Sequence, residues 1–162
     1  MLRFVKFTFL ILAALLLQVT LFPAYLRDPF KPNLLVILVA YLGLRQQSPM
    51  GGVVVFLLGL LQDCFSGLYL GLNAFTYLVT YIILRQIADR LYTDSRYLMI
   101  LVVVLATFGN GLLQLPLLLL FSAAPGVYAA LLPALLPQAL VNALATSVLL
   151  AFTHRGGTVE QK

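Results

Sequence analysis

Six apolar runs separated by short polar links make up most of the chain. Each run is apolar on all sides rather than on one face, which is typical of helices in contact with lipid. We therefore predict an all-α integral membrane bundle in a single unit at residues 1–152, with a flexible cytoplasmic tail at 153–162. The predicted spans cover about residues 4–26, 33–44, 49–64, 70–87, 97–121 and 132–152.

The second run is the least regular of the six. The link before it contains Pro29 and Pro32, which forbid a continuous helix, and Asn33 can cap the helix that follows. Because the run has only about twelve residues, it is short for a full crossing. It can be tilted, partly sunk into the membrane, or one arm of a hairpin.

The placement of basic residues indicates the orientation of the chain. If six spans cross the membrane and the N-terminus is cytoplasmic, eight Lys and Arg residues lie inside and only Arg27 and Lys31 lie outside. This is a strong positive-inside bias. It predicts cytoplasmic termini, with 63–71 and 122–130 on the outer side. The eight are Arg3, Lys6, Arg45, Arg85, Arg90, Arg96, Arg155 and Lys162.

Composition excludes several classes of protein. Apolar residues make up 62% and charged residues 9% of the 162 residues, and the mean hydropathy is +1.05. A soluble domain of this size could not solvate such a surface. The net charge of +5 does not indicate a nucleic-acid partner, because the basic residues are scattered at the ends of runs.

The chain offers little for catalysis or for a cofactor. It has one cysteine, Cys64, and one histidine, His154. A disulfide, a metal cluster or a nucleophile–base pair would need more than these. We predict no enzymatic activity, and no catalytic, cofactor-binding or metal-binding residues.

Four amide side chains in the last two runs form pairs with helical spacing. Asn110 and Gln114 share one helix face, as do Gln138 and Asn142. They could line a polar, ligand-binding cavity or form hydrogen bonds between helices; the second interpretation is favoured. Among the glycines of the third run, Gly52 and Gly59 are seven residues apart on one face, which predicts close helix packing.

Asp63 lies at the end of the third run, where an anion opposes the helix dipole. Hydrogen bonds from amides near Ser66 and Gly67 would offset that cost, so we predict a carboxylate that closes the turn. The alternative is a polar handle for a partner on the outer face. The two roles are compatible, and Gly71 and Asn73 belong to the same candidate set.

The residues around Asp63 resemble the central signature of the rod shape-determining protein MreD family. The similar pattern is Asp63-x-x-Ser66-Gly67-x-x-Leu70-Gly71-Leu-Asn73-Ala74, preceded by Gly59-Leu-Leu-Gln62. The resemblance is most specific over residues 31–90. From about residue 97 onward it rests on hydropathy alone.

This resemblance implies a non-enzymatic scaffold of the bacterial cell-elongation (rod) complex in the inner membrane. MreC is the implied direct partner, with MreB, RodA and its class-B penicillin-binding partner in the same complex, which supports peptidoglycan synthesis and cell shape. The family's six-helix bundle is also similar to the substrate-binding subunits of energy-coupling-factor transporters. A vitamin-binding subunit is therefore the alternative function, with the four paired amides as its only candidate ligands.

Overall fold

The computed structural model describes residues 30–45, 50–66, 69–88, 95–121 and 127–156, together with Leu16, Gln18, Thr20 and Tyr25. Apart from short links at 30–33, 50, 69–71 and 95, these ranges are helical, and side chains of the last helix are described over 131–151. The five helices are α1 (Leu34–Arg45), α2 (Gly51–Ser66), α3 (Leu72–Ala88), α4 (Arg96–Phe121) and α5 (Val127–Gly156).

The short helix α1 occupies the centre of the bundle. Of its twelve residues, nine are buried, and Tyr41 is its one exposed large hydrophobic side chain. Leu35, Val39 and Ala40 have no accessible surface. An all-apolar helix without a polar face can be covered on every side, as α1 is here by α2, α3, α4 and α5.

Helices α2 and α3 form an antiparallel pair with very close backbones. The start of α2 lies against Tyr81, and Gly59 in the middle of α2 lies against the first turn of α3. A Cβ placed on Gly59 would overlap the Ala74 Cα and lie 2.6 Å from the Ala74 nitrogen. Only glycine permits this approach, so the Gly59 face is occupied by the chain's own α3.

Helices α4 and α5 form a second antiparallel pair. A Cβ on Gly111 would overlap the Leu135 side chain, so the two helices touch closely there. Both contain internal prolines, Pro116 in α4 and Pro133 and Pro137 in α5. Each proline removes one backbone hydrogen bond from its helix.

Two of the described helices are long and apolar enough to cross a membrane, namely α4 and the Leu131–Ala151 portion of α5. Helices α1 and α2 are apolar but shorter, at 12 and 16 residues. At 1.5 Å per residue they measure about 18 and 24 Å, against a hydrocarbon thickness of about 30 Å.

The all-helical class predicted from the sequence is confirmed for the described residues. The five helices coincide with the last five apolar runs, although α5 begins at Val127, about five residues before the predicted start. Residues 127–131, which precede the predicted sixth span, are therefore helical as well. Most of the first run, the loop at 122–126 and the tail beyond 156 lie outside the described residues.

Adding a methyl group at Gly59 should destabilise the bundle much more than adding one at Gly52. Gly59→Ala forces α2 away from the α3 backbone and should cost about 1–3 kcal/mol of unfolding free energy. Gly52→Ala meets only ordinary contacts, at 3.6 Å from Leu78 and 3.7 Å from Tyr81. Unfolding in detergent by SDS titration measures both, and equal losses would contradict the close approach at Gly59.

Candidate functional site: two polar clusters at the helix starts

The Asp63 carboxylate is buried and accepts hydrogen bonds from the start of α3. Asp63 is 2% exposed. Its Oδ2 accepts from the backbone nitrogens of Gly71 at 2.9 Å and Ala74 at 3.1 Å. Its Oδ1 accepts from the Asn73 nitrogen at 3.0 Å and from Asn73 Nδ2 at 2.8 Å. Three backbone donors and one amide side chain therefore surround a single carboxylate.

Asp63 compensates both the unpaired N–H groups and the positive charge at the start of α3. The first N–H groups of a helix have no partner within it, and its N-terminus is electropositive. Asp63 supplies the acceptor and the negative charge from the end of α2, across the turn. Gly71 precedes α3 with φ at +95°, a conformation that side-chain-bearing residues rarely adopt. That conformation lets the chain reverse while its N–H points at the carboxylate.

The described donors to the predicted turn-closing carboxylate lie further along the chain than the turn itself. We expected amides near Ser66 and Gly67, within the turn itself. Instead the donors are at Gly71, Asn73 and Ala74, and Ser66 donates its hydroxyl to the main-chain oxygen of Asp63 at 3.2 Å. Because the α3 terminus attracts an anion, the unfavourable dipole of α2 is offset by a neighbouring helix. Gly67 lies outside the described residues.

Asn73 extends this group of bonds to α4. Its side chain donates to Asp63 and accepts from Gln114 Nε2 at 2.9 Å through Oδ1. We call Asp63, Gly71, Asn73, Ala74 and Gln114 the turn cluster. It fixes the end of α2, the start of α3 and the second half of α4 relative to one another.

A second polar cluster surrounds the start of α1. The Asn33 side chain caps the helix by accepting from the Val36 nitrogen at 3.2 Å, as predicted for a residue at this position.

Gln18 Oε1 accepts from the Leu35 nitrogen at 3.3 Å, and Gln18 Nε2 donates to Asn33 and Gln62, each at 3.2 Å. The side chains of Asn33 and Tyr77 exchange hydrogen bonds of 3.1 and 3.2 Å.

Asn142 connects this cluster to the long helices. Its Oδ1 accepts from the Asn33 backbone nitrogen at 2.7 Å, and its Nδ2 donates to Thr107 Oγ1 at 2.9 Å. Asn142 has no accessible surface. The cluster therefore joins all five described helices, and it is called the Asn33 cluster below: Gln18, Asn33, Gln62, Tyr77, Thr107 and Asn142.

An open apolar groove of about 500 Å³ lies beside the turn cluster. The turn before α3 forms one side, and the last turns of α4 form the other. We call it the turn groove; it is lined by Tyr69, Leu70, Gly71, Leu72, Phe75, Leu117 and Phe121. No lining residue is charged, and Leu70, Phe75 and Phe121 are at least half exposed.

The family model of the rod shape-determining protein MreD matches residues 1–154. This chain belongs to the MreD family. The match includes both polar clusters and the turn groove, and the family places the chain among membrane proteins that determine rod shape. No curated protein and no solved structure gives a significant match.

In this MreD family member, the predicted site residues fall into separate places. Asp63, Gly71, Asn73 and Gln114 lie together in the turn cluster, whereas Asn142 belongs to the Asn33 cluster. The remaining two amides are not drawn into either cluster. The buried Asn110 Oδ1 has no hydrogen-bond partner among the described residues, and Gln138 lies one turn before Asn142 on α5.

Sequence reasoning did not place Gln62, Tyr77 or Thr107 in a site. Their signal is weak, because a glutamine at a helix end, a tyrosine in a span and a threonine in a span each have ordinary roles. Thr107, for example, also donates to the Val103 carbonyl of its own helix at 2.8 Å. Only the structure shows why these residues matter: the buried start of α1 requires polar neighbours in an otherwise apolar bundle, and they supply them.

The two clusters can hold helices in place, but they offer no reactive group. Among the residues that the structure describes, no three His, Cys, Asp or Glu side chains lie close enough to hold a metal ion. Asp63 uses both of its oxygens for hydrogen bonds to α3. Neutral amides and hydroxyls make up the Asn33 cluster, so its chemistry is that of hydrogen-bond exchange between helices.

Replacing Asp63 should weaken the α2–α3 pair. Asp63→Ala leaves the three backbone donors of α3 without an acceptor and should cost about 1–3 kcal/mol, whereas Asp63→Asn should retain part of the geometry. The measurement is the unfolding free energy in detergent together with protein abundance in cells. If both variants matched the wild type, the carboxylate would not stabilise the turn.

Asn142→Ala tests the Asn33 cluster, and Gln138→Ala on the same helix is its control. Asn142→Ala removes the partner of the Asn33 nitrogen and of Thr107, and we expect a loss of about 1–3 kcal/mol. Gln138→Ala, one turn away on the same helix, should change the unfolding free energy by less than half of that loss. A larger effect at Gln138 would show that the helix face, rather than the Asn33 contact, determines stability.

Proposed function

We propose that this MreD family protein is a non-enzymatic membrane scaffold that binds MreC in the bacterial cell-elongation complex. The observation that carries the proposal is that polar side chains face the interior of the protein whereas leucine side chains cover its outer faces. Polar side chains such as Asp63, Asn73 and Asn142 are turned inward and hydrogen-bonded to other polar groups of the same chain. The exposed faces of α4 and α5 are rows of leucine, including Leu101, Leu105, Leu140 and Leu144. Such faces suit lateral association within a bilayer.

The proposed setting is the cytoplasmic (inner) membrane, with both termini on the cytoplasmic side. Six crossings, including the run at 4–26, would form a bundle similar to the substrate-binding subunits of energy-coupling-factor transporters. MreB, RodA and its class-B penicillin-binding partner would belong to the same complex as this protein and MreC. Membrane lipid would cover the remaining apolar surface. In this role the protein supports peptidoglycan synthesis without carrying out a reaction.

The contacts of two of the four paired amides, Gln114 and Asn142, argue against the vitamin-binding alternative. A ligand site needs polar groups that are free to face a cavity. Gln114 is bonded to Asn73, and Asn142 is bonded to Asn33 and Thr107. The turn groove, by contrast, is lined almost wholly by apolar side chains. These features favour the scaffold.

Co-purification tests the proposed function directly. Tagged protein extracted from native membranes in mild detergent should retain MreC, and its depletion should give round cells that fail to elongate. Wild-type chain that retains no MreC, or that supports saturable vitamin uptake when combined with energy-coupling subunits, would overturn the scaffold role.

Cysteine labelling should report the proposed topology. Because Cys64 is exposed, the labelled variants need a Cys64→Ser background. A cysteine at Ser122 should react with an impermeant maleimide added from the periplasmic side, whereas a cysteine at Thr93 should react only after the membrane is permeabilised. The reverse pattern would exclude six crossings with a cytoplasmic N-terminus.

A further inference from the structure

The start of α2 receives no acceptor from the described part of the chain. The first hydrogen bond of the helix runs from the Val54 nitrogen to the Met50 oxygen, at 3.1 Å. The N–H groups of Gly51, Gly52 and Val53 precede that bond, and none of the described residues accepts from them. The residue at the cap position is Met50, whose thioether is only a weak acceptor. These N–H groups therefore need an acceptor from outside the helix.

The chain supplies polar residues at other helix starts. Asn33 caps α1, Asp63 supplies the acceptor for α3, and Ser95, a residue type favoured at caps, precedes α4. Asp63 is the one Asp or Glu among the described residues, and it lies near the opposite end of α2. It cannot serve the start of the same helix.

The Tyr81 hydroxyl lies beside this start and is also without a partner. A Cβ placed on Gly51 would overlap the hydroxyl and lie 2.9 Å from the Tyr81 Cζ. Tyr81 is 2% exposed, and its hydroxyl makes no hydrogen bond with the described residues. A hydroxyl can donate, and the neighbouring unpaired groups of α2 are all donors. One acceptor at the first turn of α2 could therefore satisfy both the hydroxyl and the helix.

The charges at this end of the bundle favour an anion. Arg85 follows Tyr81 by one turn on α3, and Arg45 is the last residue of α1. The two helices touch closely there, since a Cβ on Gly43 would lie 2.9 Å from the Leu84 Cβ. Both arginines are exposed. Together with the positive end of the α2 dipole, they make the local field attractive to a negative ligand.

We propose that the first turn of α2 and the Tyr81 hydroxyl form a binding site for a phosphate group. A phosphate carries negative charge and several acceptor oxygens, so it can accept from the N–H groups and the hydroxyl together. The group comes from an anionic phospholipid or from free phosphate. In the proposed topology this end faces the cytoplasmic leaflet, where anionic headgroups lie at the level of such arginines. The site is independent of MreC binding.

Thermal unfolding of the purified full-length protein in nonionic detergent tests the site. After removal of co-purified lipid, phosphatidylglycerol should raise the unfolding midpoint saturably, whereas diacylglycerol, which lacks the phosphate, should not. Tyr81→Phe should require about tenfold more phosphatidylglycerol for half of the shift, because a hydrogen bond to a charged group is lost. Without lipid its midpoint should equal or exceed that of the wild type, since the hydroxyl has no partner to lose. Tyr41→Phe, at an exposed tyrosine of α1, is the control and should respond like the wild type.

Met50→Asp supplies the missing acceptor from the chain itself. Met50 is 67% exposed, so the substitution disturbs little packing. A capping carboxylate there should raise the midpoint without lipid by about 2–4 °C and abolish the response to phosphatidylglycerol. Met50→Leu, which adds no acceptor, should leave both unchanged.

The remaining outcomes separate the sources of phosphate and can overturn the site. A saturable shift with inorganic phosphate, absent with sodium chloride at equal ionic strength and weakened by Tyr81→Phe, would support the site with free phosphate as its source. No saturable shift with either, or equal shifts in the wild type, Tyr81→Phe and Met50→Asp, would overturn it. If Asp89→Asn or Asp94→Asn lowered the midpoint and Met50→Asp restored it, a carboxylate of the chain would cap α2, and the proposal would also fail.

Discussion

The architecture depends on satisfying the backbone N–H groups at helix starts that lie inside an apolar bundle. Water is excluded there, and each unpaired group costs free energy comparable to a lost hydrogen bond. The chain meets this requirement with side chains from other helices, namely Asp63 for α3 and Gln18 and Asn142 for α1. Because each donor–acceptor pair joins two elements, satisfying the backbone also fixes how the helices pack.

The two clusters meet the same requirement with different chemistry. At α3 the acceptor is a carboxylate, whose charge is compensated by several donors and by the positive end of the helix. At α1 all the partners are neutral amides or hydroxyls. The charged cluster lies near the turn, and the neutral one extends to the middle of α5 at Asn142. This distribution follows the cost of a charge, which rises with its depth in a membrane.

How much could be predicted depended on sequence separation. The apolar runs, the capping role of Asn33 and the importance of Asp63 are readable because they involve neighbouring residues. The bond between Asn33 and Asn142 spans 109 residues, and the bond between Asn73 and Gln114 spans 41, so nothing local indicates either pairing. The donors to Asp63 at Gly71, Asn73 and Ala74 are hard to predict for a related reason, because the carboxylate serves the helix that follows the turn and not only the turn itself.

The burial of α1 has a consequence for how the protein is made. Its partners for Asn33 come 44 and 109 residues later in the chain, at Tyr77 and Asn142. A ribosome therefore delivers α1 to the membrane before Tyr77 and Asn142, the later partners of its capping residue, have been synthesised. At twelve residues, it is also too short to be inserted as an independent span. Correct placement of α1 is thus a late event in biogenesis, which makes nascent chains that stop before α5 natural substrates for membrane quality control.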